Sequence, residues 1–210
     1  VQRSWQGLER VVDRAVALGR SDAVQLSVLC LPALAHALLP GAAARLLQAC
    51  PHARLSVTPQ ESPLLEEWMS AQRFDLGLGE QTATPPGTQA EVLLTLDEVA
   101  VLPAEHALAM RPVLGLGDFA GLPFVSLSAD DPYRRQIDAL FAQAGVQRQL
   151  RLETHSAVAV CAMVQQGLGV AIVNPLTALA AVQGSGGALV LRRLAFSVPF
   201  SVSVVRPLFR

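Results

Sequence analysis

Short apolar runs and helical stretches take turns along this chain, and that alternation constrains its fold more than any single motif. "VQLSVL" (24–29), "RLSVT" (54–58) and "FDLGL" (74–78) read as strands. Each is bounded by turn residues and is too short for a buried helix. Between them, 32–50 reads as a helix bent at Pro40, where proline removes a ladder hydrogen bond. Residues 62–72 read as a second helix, with Ser62 as N-cap, Pro63 in the first helical position, and Leu65, Trp68 and Met69 on its inner face.

The second half repeats this grammar. Strands are predicted at 123–128, 150–154 and 169–174, and helices at 131–145, 156–166 and 176–182. Asp131 caps the first of these helices, Pro132 opens it and Gly145 lies just past its end. The 156–166 helix is apolar nearly all round and should be buried. Two strands, "GGALVLRRL" and "FSVSVVRP", close the chain. Strands alternating with helices imply parallel α/β sheets. One extended run, 92–103, is long for a single strand and suits a chain that leaves one sheet and enters another. The pattern therefore predicts two similar α/β lobes with a cleft between them, ligands sitting beyond the carboxyl ends of the strands.

Charge and composition narrow the function. The net charge is −1, so no strong field points to nucleic acid or to an acidic membrane. Cys30, Cys50 and Cys161 are widely spaced, with no CxxC or Cys/His cluster, so no metal site is expected and free thiols in a reducing compartment are. His36, His52 and His106 are scattered and suggest no ligand set. No apolar run approaches the ~20 residues of a membrane helix. Residues 4–18 read as an amphipathic helix with Trp5, Leu8, Val12, Ala15 and Val16 on one face. It either packs on its own domain or ends a linker.

The stretch "LETHSAVAVCAMVQQGLGVAIVNP" (152–175) invites a catalytic reading, which its chemistry opposes. Ser156 lacks the flanking glycines of a nucleophile elbow. The "QGLG" pair follows a helix and precedes a strand, the reverse of a phosphate-binding loop. Gly167 instead ends a helix and Gly169 opens a strand. Ser156 is an N-cap candidate just after a strand, so the N–H groups of residues 156–159 could favour a carboxylate or another small anion. The plainer alternative is that Ser156 only caps its helix and His155 is a loop residue. Comparable strand-to-helix turns occur at 29–34, at 58–63 (Gln60, Glu61, Ser62) and at 126–135 (Ser126, Ser128, Asp130, Tyr133, Arg134). Helix ends that bind anions, together with a few carboxylates, would suit an amphoteric ligand.

"LSVLCLPALAHALLPGAAARLLQACPHARLSV", "FDLGLGEQ", "DEVAVLPAEHALA", "LGDFAGLPFVSLS" and "AMVQQGLGVAIVNP" occur in that order. Over residues 21–200 the ordered set resembles the effector-binding domain of LysR-type transcriptional regulators. The resemblance implies an α/β fold of two Rossmann-like lobes joined by crossover strands, like type II periplasmic binding proteins. It implies 1–20 as the end of a linker helix, 21–96 with about 200–210 as lobe I, and 97–199 as lobe II, the N-terminal winged helix-turn-helix being absent from this chain. "FVSLSADDPYRRQID" and "ETHSAVAVCAMVQQGLGVAIVNPLTA" look most like regulators of opine catabolism and amino-acid-responsive relatives. Carried over by position, ligand contacts would be Pro32, Ala33, Glu61, Ser62, Gly79, Glu80, Ser128, Asp130, Pro132, Tyr133, His155, Ser156 and Asn174. Asp75 matches a structural position.

The resemblance thus implies a cytoplasmic homodimer or homotetramer that senses a small amino acid, opine or organic acid in the interlobe cleft. It would reach DNA only through the absent domain and need no cofactor, metal or membrane. By changing the angle between lobes, the effector would alter how dimers pair on DNA, which requires different affinity for the two arrangements. A solute-binding protein of the same fold is the alternative. A small α/β enzyme is a third reading, opposed by the absence of an acid and a base at one point, and no catalytic residue is assigned.

Overall fold

In a computed structural model, which describes residues 25–80 and 84–209, the chain forms two compact units. One runs to Thr95 and resumes at Ser201; the other is Leu96–Phe200. The helix expected at 4–18 lies outside the described residues.

The first unit is a five-stranded sheet, ordered β2 (Arg54–Pro59), β1 (Gln25–Cys30), β3 (Leu76–Glu80), β11 (Pro199–Pro207), β4 (Thr88–Asp97). β1 lies parallel to both β2 and β3, while β11 returns antiparallel to β3. Parallel neighbours need crossover helices, here α1 (Pro32–Ala37) with α2 (Leu39–Ala49), and α3 (Leu64–Ser70). The bend expected at Pro40 is a full break at Leu38, with Pro40 in the first turn of α2. Pro40 has no N–H to give the carbonyl of His36, so the ladder stops there. Asp75 is structural: its carboxylate accepts from the Ser27 amide at 2.8 Å and the Ser27 hydroxyl at 2.5 Å, clamping β1 to β3.

Two expectations in this unit are corrected. Ser62 does not cap α3. The N-cap position is Pro63, the helix starts at Leu64, and the Ser62 hydroxyl donates to Glu66 Oε1 at 2.7 Å. Trp68 is half-buried and stacks on Phe74, leaving Leu65 and Met69 as the buried residues of α3.

In the second unit, β6 (Val113–Leu114), β10 (Leu189–Leu194), β5 (Val99–Pro103) and β9 (Ala171–Val173) form one sheet, and β7 (Pro123–Leu127) and β8 (Gln149–Thr154) a parallel pair. A parallel bridge between Phe124 and Val170 joins the pair to β9. The long run at 92–103 does change sheets: β4 ends at Asp97, β5 begins at Val99, and the buried Glu98 between them donates its N–H to Val198 at 2.9 Å.

α4 (Pro132–Gln143), α5 (Ala157–Gln165) and α6 (Pro175–Gly184) cover this sheet. Val101, Val125, Val160, Cys161, Val164, Ala171 and Val173 form one buried cluster, as strands packed on both faces require. Phe119, Phe124 and Phe141 meet edge to face beside it. The α5 helix is less buried than its composition suggests: Val160, Cys161 and Val164 face inward while Val158 is exposed. Alanines on its outer side make it look uniformly apolar, yet they carry little hydrophobic area.

Candidate functional site

Both units place their sequence-predicted residues at the carboxyl ends of parallel strands. In the first unit, Leu31 N–H donates to Leu78 O at 3.1 Å and Gln60 N–H to Cys30 O at 2.8 Å. These bonds stitch the three strand ends into one rim carrying Pro32 and Ala33, Glu61 and Ser62, and Gly79 and Glu80. Glu61 and Ser62 are exposed, whereas Gly79 is buried and packs toward Leu65.

In the second unit, Ser128 N–H donates to Thr154 O at 3.1 Å, so the ends of β7 and β8 meet. Ser128, Asp130 and Pro132 follow β7, and His155 and Ser156 follow β8. His155 and Asp130 are both exposed, with Nδ1 3.8 Å from Oδ1. β9 runs parallel to β7, which puts Asn174 on the same rim.

Of the helix starts on this rim, those of α4 and α5 differ in what they leave open. At α4 the Asp131 carboxylate accepts from Arg134 N–H at 2.9 Å, Pro132 has no N–H, and the Asp131 carbonyl accepts from Arg135. That start already holds its own negative charge. Burial pushes the Asp131 carboxyl up from its ordinary value, while hydrogen bonds from the Arg134 and Tyr133 amides pull it down. At α5 the cap is neutral. Ser156 Oγ accepts from Ala159 N–H at 3.4 Å, and Ser156 N–H donates to Thr154 Oγ1 at 3.3 Å. Of the four amides expected to be open, 156–159, two are thus used internally. Those of Ala157 and Val158 are left for solvent or ligand.

Two predicted contacts, Tyr133 and Asn174, have structural work of their own, and Ser126 of the 126–135 turn is not open to a ligand either. Tyr133 is buried, its ring 5.6 Å from that of Phe200. Asn174 is buried as well: its Oδ1 accepts from Thr177 N–H at 2.8 Å and caps α6. Ser126 is buried within β7. Replacing Asn174 with alanine is expected to lower stability by about 1–2 kcal/mol, since Thr177 N–H loses its acceptor where water does not replace it. Urea unfolding would test this, and a loss no larger than that of an exposed substitution would count against the cap.

Arg134 is the residue whose role the sequence reading missed. Its place in the 126–135 turn predicts a rim residue, yet its side chain is only 7% exposed. Nε donates to Asp138 Oδ2 at 2.7 Å, Nη1 to Leu127 O at 2.7 Å, and both terminal nitrogens lie 3.3 Å from Glu153 Oε1. One guanidinium therefore ties α4 to the ends of β7 and β8. The Arg134–Asp138 spacing is an i,i+4 pair and was visible in the sequence.

Cys30 and Cys161 are buried, and burial pushes their thiols up to about 11 and about 12, so neither is a poised nucleophile. Among the described residues no group of three or more His, Cys, Asp or Glu could hold a metal ion, and no helix is long and apolar enough to cross a membrane.

Strand ends bearing helix starts, built twice on a chain that passes twice between its units, define a ligand-binding α/β protein of the type II periplasmic-binding-like class. The chain belongs to the LysR family of transcriptional regulators, whose LysR substrate binding domain matches residues 19–208, and it is the effector-binding domain of such a regulator. It is 50% identical over 210 residues to the transcriptional activator protein LysR of Escherichia coli K12, covering all of this chain and 67% of that protein. Likeness to an opine regulator is more distant. The octopine catabolism/uptake operon regulatory protein OccR of Rhizobium meliloti is 24% identical over 179 residues, 85% of this chain and 59% of OccR. The BenM effector binding domain, solved with its effector benzoate, superimposes with a TM-score of 0.71 at 18% identity, covering 90% of this chain and 86% of that one. The family is one of regulators, which favours a sensing role over solute transport or catalysis.

Proposed function

We propose that the effector of this domain is a small anionic or amphoteric molecule, an amino acid, opine or organic acid, held at the strand carboxyl ends. The open start of α5 carries the proposal. The Ala157 and Val158 amides, a neutral Ser156 cap and the Ser128 and Thr154 hydroxyls offer donors to a carboxylate, with the helix dipole adding partial positive charge. Asp130 and His155, exposed on the same unit, would select a cationic group on the same ligand. That BenM binds benzoate agrees with a carboxylate. Pro32, Ala33, Ser62, Gly79, Glu80 and Pro132 would shape the rims, while Tyr133 and Asn174 would act by supporting them. Occupancy would be passed to DNA through a part of the regulator outside this chain, within a cytoplasmic homo-oligomer.

A thermal-shift screen against amino acids, opines and small mono- and dicarboxylates tests this reading. A ligand at about 100 times its Kd adds about 2.7 kcal/mol to stability, and for a chain of this size each kcal/mol moves Tm by about 2–4 °C. Ser156→Ala and Ser128→Ala are expected to weaken every carboxylate hit, and Asp130→Asn only the amphoteric ones. Hits to which all three variants respond like the parent chain would place the ligand elsewhere.

A further inference from the structure

A groove of about 420 Å³ runs along α4 in the second unit, from Arg134 in its first turn to Gly145 just past its end. Its size is that of a small-molecule site. One wall is apolar: the Phe141 ring, Ala142 and Leu150, the last 42% exposed. Arg134, Asp138 and Arg148 make the charged part.

Arg148 is an unusual wall residue. Its side chain is 10% exposed, and its guanidinium lies 4.1 Å from the Phe141 ring centroid and 4.6 Å from that of Phe124. Its Nη2 donates to Asp138 Oδ1, but the other Asp138 oxygen is taken by Arg134, so two guanidiniums share one carboxylate. Glu153 adds a second anion for Arg134 at 3.3 Å. Nη1 of Arg148 is buried with no acceptor among the described residues. A buried charged donor without a partner is costly, and an incoming acceptor removes that cost. Burial also holds the Arg148 guanidinium below its ordinary value, the change that a nearby anion reverses.

We propose that this groove is a second small-molecule site, taking a carboxylate with a compact apolar body. Its oxygen pairs with Arg148 while its body lies along Phe141, Ala142 and Leu150. The site is separate from the strand-end rim, and neither assignment depends on the other.

The test is an NMR titration of the ¹⁵N-labelled chain with benzoate, with benzamide as its neutral isostere. Benzoate is expected to shift the Gly145, Val146 and Gln147 amides and the Arg148 Nε–H saturably. Benzamide should bind at least about tenfold more weakly, as loss of a charged hydrogen-bond partner implies. Ala142→Trp, at an exposed helix position, fills the groove and should abolish these shifts. Leu150→Glu, which adds a like charge at the mouth, should weaken them by about tenfold. Equal binding of benzamide, a benzoate response surviving both variants, or no response at 145–148 would overturn the site. A response at Ser128 and Ser156 alone would overturn it too, while leaving the rim assignment standing.

Discussion

Replacing Gly169 with alanine should destabilise the chain by about 3 kcal/mol, among the larger effects a single methyl group can have. A Cβ there would stand 2.6 Å from the Pro123 carbonyl oxygen and 2.8 Å from its carbon. Those are backbone atoms of β7, so relief requires moving a strand rather than turning a side chain. The strand is held at that point by Val170 N–H donating to Pro123 O at 3.0 Å and Val125 N–H donating to Val170 O at 2.9 Å, the bridge that joins the β7–β8 pair to β9. Pushing Pro123 away opens the bridge and loosens the sheet above Phe124 and Val125, both fully buried. Gly117 is the control, because a Cβ built there meets nothing within 4 Å, and its alanine variant should stay within about 0.5 kcal/mol of the parent. Urea midpoints of the two variants decide the matter. If they coincide, the close approach at Gly169 does not constrain the fold.

That example also shows how the sequence speaks and where it stops. "QGLGVAIV" placed Gly167 at a helix end and Gly169 at a strand start by local rules. Pro123, forty-six positions away in the chain, was beyond those rules. The same division runs through the rest. Asp131, Pro132 and Gly145 marked α4 because capping is a matter of three or four neighbouring residues. Ser62 met the same local criterion and failed it, since the helix starts one residue later, at Leu64, with Pro63 in the cap position. At the rim, strand-end placement was readable from the alternation of elements. Whether each side chain faces outward was not. Tyr133 and Asn174 sit beside the strand ends in sequence, yet turn into the core and into a cap, because inward packing is set by partners such as Phe200 and Thr177. That Thr154 takes up the Ser156 amide is, by contrast, a local contact across two residues, of the kind threonine makes in turns.

Arg134→Met is expected to cost about 2–4 kcal/mol and to disturb the β7–β8 rim. Methionine keeps most of the buried aliphatic volume, so the loss is chiefly polar. The Leu127 carbonyl loses a charged donor at 2.7 Å, and Asp138 keeps only Arg148. Removing one partner from a buried ion pair costs about 3–5 kcal/mol when the other is fully enclosed. Asp138 and Glu153 are 40% and 41% exposed and regain water, which puts the expectation lower. Arg134→Lys should recover only part of the loss. A single ammonium keeps the charge but not the planar fork that serves a carbonyl and two carboxylates at once. Double-mutant cycles separate the contacts. Coupling to Asp138, bonded at 2.7 Å, should exceed that to Glu153 at 3.3 Å, which is expected to stay below about 1 kcal/mol. Because Leu127 directly precedes Ser128, amide hydrogen exchange at Ser128 should rise in Arg134→Met more than at the cap of α6. Uniform loss of protection across both places would make Arg134 a contributor to general stability rather than the residue that holds this rim.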